Sequence, residues 1–215
     1  MKRSSPQYSN SNVRQRSQVS ESVLERVRNA LSSRVAQTVD GYGLKQSAVL
    51  LLSYPKQGQY HVLFNKRTDK VEFNKGEICF PGGGVDPGDK DLVATALRET
   101  HEEMGVLPED VTVLGVMDET TTRTGFVIRP YVGTIPYPYR FHLSTGEVAE
   151  VLEVPVSWLL NSDNVRVETE PPHGEAPATS YSYGDHLIYG ATARILHQFL
   201  EVLVGIGWPE RTLAT

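Results

Sequence analysis

The sequence predicts a single α/β domain organised around a mixed β-sheet, and three observations predict it. Apolar runs of strand length stand on both sides of one central helix, an order that folds as a layered α/β structure. The chain of 215 residues is long enough for one full core and short for two. Its 39% apolar and 22% charged composition, with no internal repeat, is that of an ordinary globular protein.

The elements follow in order. Residues 1–18, rich in Ser, Asn, Gln and Arg, form a basic tail expected to be disordered, and residues 19–215 form the domain. From Val19 to Val35, Val23, Leu24, Val27, Leu31 and Val35 recur at helical spacing, with Ser20 placed to cap. Gly41 to Gly43 separates that helix from a buried-strand run, Ser47–Tyr54, which turns over 55–59 and returns as Tyr60–Asn65. Glu77–Phe80 is a short strand leading into Pro81 and a glycine-rich turn at Gly82, Gly83 and Gly84. The helix that follows is capped by Asp89 or Asp91 and ended by Gly105. Val111–Met117 and Phe126–Ile135 are further strands, and 136–138 is a proline-interrupted loop. Residues 148–160 make a short strand or turn entering a helix. Val165–Thr169 and Tyr181–Tyr183 read as strands on either side of a flexible excursion at 170–180. Leu187–Val204 closes the chain as an amphipathic helix striped by Ile195, Leu196, Phe199, Leu200 and Leu203.

Charge and composition exclude several classes. Net charge is −5, but residues 1–34 hold seven Lys/Arg against two Glu, so the remainder carries −10 and is poorly suited to duplex nucleic acid. The basic tail is read as solvated, with a membrane or RNA anchor as the competing reading. One cysteine, Cys79, excludes a disulfide framework and a CxxC zinc site; it sits in an apolar run and reads as a small buried hydrophobe. No apolar run reaches the length of a membrane span and no signal peptide opens the chain, so a cytoplasmic location is the expectation. The six histidines show no ligand spacing, and none is assigned a catalytic role.

The chemistry concentrates in the central helix. At roughly 100° per residue, Glu99, Glu102 and Glu103 share one side within about a quarter turn, while Val93, Leu97 and Met104 gather opposite with Ala96 beside them. Three carboxylates this close repel one another unless a cation faces them. Oxygen-only ligands in a tight group suit a hard divalent ion, Mg²⁺ or, as the alternative, Mn²⁺.

From Gly84 to Val106 the chain resembles the Nudix box, a glycine, five residues, a glutamate, seven residues, then Arg-Glu-x-x-Glu-Glu-x-Gly. Gly84, Arg98, Glu99, Glu102, Glu103, Gly105 and the aliphatic Val106 fall in register, and Lys90 stands where the pattern has its first glutamate, flanked by Asp89 and Asp91. Arg67-Thr68, Gly76, Ile78 and the run Phe80 to Gly83 resemble the segment that coenzyme A-type Nudix pyrophosphatases carry before the box, with Glu72 in place of a second arginine. Residues 147–160 and 188–193 also resemble that branch.

The resemblance implies a Nudix-like α/β/α sandwich with a mixed β-sheet, and a metal-dependent hydrolase of a pyrophosphate bond in a nucleoside diphosphate derivative. Coenzyme A or acyl-CoA, giving 3′,5′-ADP and phosphopantetheine, is the leading substrate; ADP-ribose, dinucleotides or damaged nucleotides are the alternative, and a non-catalytic nucleotide-binding sensor is a third reading. It implies Glu99 and Glu103 as the firmest metal ligands, Glu102 sharing a further ion, and Arg98 orienting a glutamate. Gly82 and Gly83 allow close backbone approach to the substrate or the site. Arg67 contacts a phosphate, and Lys66, Lys70 and Lys75 add positive field. Glu147 or Glu150 is the candidate general base. Tyr137 or Tyr139 borders a nucleotide pocket if it is not simply packed. A homodimer is a further expectation from the family.

Overall fold

The computed structural model describes residues 23–71, 74–168 and 178–208. The tail, residues 19–22 of the predicted first helix, Glu72, Thr169 of the predicted strand and residues 170–177 of the excursion lie outside these. Helix α1 covers 23–32 among the described residues and stops before Val35, which is exposed rather than part of the apolar stripe. Val23, Val27 and Leu31 carry the buried side instead.

β1 (Lys45–Lys56) organises the sheet. Its second half forms an antiparallel hairpin with β2 (Gln59–Arg67), turning at Gln57 and Gly58, so Pro55 and Lys56 are strand rather than turn. Its other edge runs parallel to β7 (Phe126–Thr134), which pairs in turn with β5 (Thr112–Val116) and the two-residue β6 (Thr120–Thr121). β2 pairs with β3 (Ile78–Cys79) and with the eight-residue β8 (Val148–Pro155), which leads into the short helix α3 (Val156–Leu159). The sheet is therefore mixed, as predicted.

The first half of β1 carries an addition for which the glycine-rich sequence has no strand pattern. Gly82–Gly84 is a strand, β4, antiparallel to β1 with Ala48 opposite Gly83. A Cβ on Gly82, at φ 147°, would stand 2.3 Å from the Ala48 carbonyl oxygen, so glycine is required for this close backbone approach.

β9 (Val165–Glu168), β10 (Ala178–Tyr183) and β11 (His186–Ile188) form a small separate sheet. Residues 178–180 are thus strand, not excursion, and the last helix, α4 (Gly190–Gly205), begins after β11 rather than at Leu187.

Side chains alternate along β1 and divide the core. Ala48, Leu50, Leu52 and Tyr54 pack with Ala96 and Met104 of α2 (Leu92–Met104), whereas Leu51 joins α1 and α4 residues Val27, Leu31, Ile195, Leu196 and Phe199 on the other face. The result is an α/β/α sandwich.

Candidate active site

Helix α2 is set by its ends. Asp91 is the N-cap, its carboxylate accepting from the Ala94 amide at 2.7 Å, an interaction worth about 1 kcal/mol. Gly105 closes the helix at φ 70°, and a Cβ there would meet the His142 Cβ at 2.7 Å. Between these caps the helix buries Thr95, Ala96, Thr100, Glu103 and Met104.

That set corrects the expected division of faces. The buried side is centred near Glu103 and Ala96, with Val93 and Leu97 only half-buried at its flank. The cause is β4: glycines without side chains let the acidic side of α2 lie against the sheet. A Cβ on Gly83 would sit 2.5 Å from the Glu99 carboxyl carbon, so the carboxylate occupies the space that any other residue would fill.

The three glutamates consequently have different surroundings. Glu103 has 3% of its side chain exposed, Glu99 17% and Glu102 53%. Glu103 Oε2 accepts from Asn65 Nδ2 at 2.9 Å and from the Gly82 amide at 3.1 Å, and Oε1 lies 3.8 Å from Arg67 Nη1. Burial pushes its carboxyl up to about 8, helped by the charges of Glu99 and Glu147 and opposed by Gly82 and Arg67. Burial also raises Glu99, against the pull of Arg98.

Arg98 ties the outer part together. Its Nη1 donates to Glu99 Oε1 and Glu102 Oε2, each at 3.0 Å, and its Nη2 to the Gly84 carbonyl at 3.0 Å. Asp89 takes two further bonds from the guanidinium, at 2.9 Å from Nε and 3.0 Å from Nη2. These bonds and the Asp86 amide hold the Asp89 carboxyl well below the usual range. Lys90 is exposed beside it. Asp89, one residue earlier, thus supplies the carboxylate at Arg98 that the motif position itself lacks.

The loop after β7 brings in a fourth acid. The Ser144 amide donates to the Glu103 carbonyl and the Thr68 amide to the Glu147 carbonyl, each at 2.9 Å, fixing the loop across the end of α2. The charge of Glu147 pushes both Glu99 and Glu103 upward, whereas Glu150 lies 3.3 Å from His186. Tyr139 is occupied elsewhere: its hydroxyl donates to Asp110 at 2.8 Å and accepts from the Leu107 amide at 2.9 Å. Tyr137 stacks on Tyr54 at the opposite end of β1 from Gly83.

Arg67, Gly82, Gly83, Arg98, Glu99 and Glu103 are therefore brought together, with Glu102 at the rim. Asn65 and Asp89 are additions. Asp89 was visible as an acid beside the displaced motif position; Asn65 gave no signal beyond a polar residue ending a strand run.

A hard divalent cation fits this donor set. The ligand atoms are carboxylate oxygens, burial leaves Glu103 short of positive charge, and Glu99 is held against a glycine cradle. Among the described residues no group of three or more His, Cys, Asp or Glu already converges to enclose an ion. Such an ion would therefore complete its shell with water or substrate oxygens, as Mg²⁺ commonly does.

The fold and this helix define a Nudix protein, and the chain belongs to that family: the NUDIX domain model matches residues 44–176. It is similar to the uncharacterized Nudix hydrolase NudL of Citrobacter koseri, 32% identical over 163 residues that cover 75% of this chain and 84% of that one. It is also similar to the NudL of Photorhabdus laumondii, 35% identical over 141 residues covering 65% of this chain and 75% of the relative. Among solved structures, a MutT/nudix family protein from Enterococcus faecalis shares the fold with a TM-score of 0.52 at 19% identity, over 75% of this chain and 62% of that one. The protein is a Nudix hydrolase, an enzyme class acting on nucleoside diphosphate derivatives with divalent metal ions. No helix among the described residues is long and apolar enough to cross a membrane.

Proposed function

We propose that the chain hydrolyses the pyrophosphate bond of coenzyme A or an acyl derivative, releasing 3′,5′-ADP and a phosphopantetheine product, with Mg²⁺ or Mn²⁺. The observation that carries the hydrolytic reading is the pair formed by buried Glu103 and half-buried Glu99 on the glycine strand, an arrangement costly to fold unless it holds a cation. The substrate choice rests on the segment from Arg67 to Gly83, which resembles the coenzyme A-type Nudix pyrophosphatases.

Glu99 and Glu103 would hold the ion, with Glu102 joining from the rim. When bound, such an ion lowers the pKa of a water and neutralises charge on the diphosphate. Arg98 fixes Glu99 and Glu102 and is itself fixed by Asp89 and the Gly84 carbonyl. The Gly82 amide holds Glu103, and Gly83 leaves room for the Glu99 carboxylate. Arg67, beside Glu103, is positioned to pass from that carboxylate to a phosphate oxygen. Glu147 is the better general-base candidate, because its charge reaches both site acids while Glu150 faces His186.

Glu72 favours a second substrate reading, ADP-ribose, a dinucleotide or a damaged nucleotide, since it stands in the sequence where the resembled pattern has a second arginine, a cation that would help bind phosphate. A non-catalytic sensor is the third reading, and the two bonds from Arg98 to Asp89, beside the Lys90 that stands at the motif position, weigh against it. The test is mass spectrometry of products from a mixed pool of diphosphate compounds, with Mg²⁺ and with chelator. Metal-dependent 3′,5′-ADP is the expected result. A strong preference for substrates lacking the 3′-phosphate rejects coenzyme A, and no product over hours rejects hydrolysis.

A further inference from the structure

β2 places a fully buried asparagine directly under the site. Asn65 lies opposite Cys79 in the β2–β3 register, so the two side chains share a face. That face is the one turned toward α2. The Cys79 thiol donates to Asn65 Oδ1, and Asn65 Nδ2 donates to Glu103 Oε2 at 2.9 Å.

The chemistry of the two ends fixes which way the amide points. In the ionised form that would hold an ion, Glu103 accepts only and so requires the NH₂ end; a thiol hydrogen seeks the carbonyl end. Both demands select the same orientation. The reverse flip would set Oδ1 against Glu103, two acceptors facing one another in a buried place. Glu103 Oε2 is then held by two donors, Asn65 and the Gly82 amide, while Oε1 lies 3.8 Å from Arg67 Nη1, beyond hydrogen-bond distance. One oxygen is anchored and the other is left for a ligand.

We propose that Asn65, oriented by the Cys79 thiol, is a positioning residue that aims Oε1 of Glu103 at the metal ion of the site. This rests on the reading of Glu103 as a metal-holding carboxylate. Removing the amide donor leaves the carboxylate free to turn about its last torsion, and loss of such a supporting partner typically costs about 10–100-fold in metal affinity or activity.

The test uses the full chain with Asn65→Leu, a near-isostere that loses the donor, Asn65→Ala, which removes the amide altogether, and the pair Cys79→Ala and Cys79→Ser. Mn²⁺ affinity is measured by calorimetry, turnover of the preferred diphosphate with Mg²⁺ as kcat and KM, and the Asn65 side-chain NH₂ signals by NMR in metal-free protein. Both Asn65 variants should bind Mn²⁺ about 10–100-fold more weakly and lose kcat in the same range with KM little changed. Cys79→Ser, which still has a hydrogen to donate, should retain more of both than Cys79→Ala. The NH₂ signals should exchange slowly and shift in Glu103→Gln. Asn65 variants within about twofold of wild type in Mn²⁺ affinity and kcat overturn the proposal while leaving the hydrolase intact. If the wild type shows no metal-dependent turnover, the functional reading has failed, and the NMR arm still decides: NH₂ signals indifferent to Glu103→Gln overturn the positioning role.

Discussion

The two faces of the central sheet are built on different rules. The face under α1 and α4 is closed by Val23, Val27, Leu31, Ile195, Leu196, Phe199 and Leu203, all buried and all apolar. The face under α2 is closed partly by Thr95, Thr100, Asn65 and Glu103, polar groups that are just as deeply buried. A core formed only for stability has no use for a carboxylate at 3% exposure. The contrast separates the half of the molecule that supplies stability from the half that gives some of it up for a site.

The largest expected effects come from breaking the contrast on the α2 side. Glu103→Gln should reduce kcat by at least about 10²-fold, the lower range for loss of a catalytic group, without lowering the melting temperature. Glu102→Gln, at the exposed rim, should cost roughly tenfold or less. Equal losses would show that burial does not rank the glutamates.

On the other face the signs exchange. Phe199→Ala should cost about 3–5 kcal/mol in denaturant unfolding, while kcat of the protein that remains folded stays near wild type. A parallel loss of kcat would mean that the two faces are mechanically coupled.

Gly83→Ala and Asp89→Asn sharpen the picture with smaller effects. The new Cβ at Gly83 meets the movable end of Glu99, so displacement of that carboxylate should lower kcat by roughly tenfold with little loss of stability. Asp89→Asn weakens the bidentate hold on Arg98 and should lower kcat by about tenfold. A wild-type rate in Asp89→Asn would show that Arg98 needs no partner in place of the missing motif glutamate.

The last difference between the faces is in stability against pH. Because folding raises the Glu103 carboxyl to about 8, the folded, metal-free protein keeps a proton that the unfolded chain has released above its ordinary value near 4.5. The contribution of Glu103 to stability is therefore greatest below that ordinary value and is lost as pH rises toward 8. Thermal melts of metal-free protein between pH 5 and about 8 should fall more steeply for wild type than for Glu103→Gln. Taking the difference removes His61, whose lowered pKa pushes the slope the opposite way.

Much of this contrast was legible in the residues, though not its sense. β1, β2, β5 and β7 appear as apolar runs because they are buried, and the ends of α2 were readable from Gly105 and from the pair Asp89 and Asp91, of which Asp91 is the cap. β4 was not, since three glycines have no strand propensity of their own and pair only because β1 accepts them. Missing β4 led to the misplaced faces of α2, since the helix pattern alone cannot show that its neighbour lacks side chains. The hairpin into β11 does leave a signal in the residues, a two-residue Gly184-Asp185 turn between Tyr183 and His186. Within the site, the Nudix pattern marked Arg98 and the glutamates, but nothing in one sequence joins Asn65 to Glu103 across 38 residues.

Burial, not mere proximity, would make Glu99 and Glu103 the holders of a divalent ion. Titrating Mn²⁺ into the wild type and into Glu99→Gln, Glu102→Gln and Glu103→Gln, followed by calorimetry, tests it most directly. At least about tenfold weaker binding is expected for Glu99→Gln and Glu103→Gln and a change of only a few-fold for Glu102→Gln. Binding untouched by Glu103→Gln, or lost chiefly with Glu102→Gln, would contradict it.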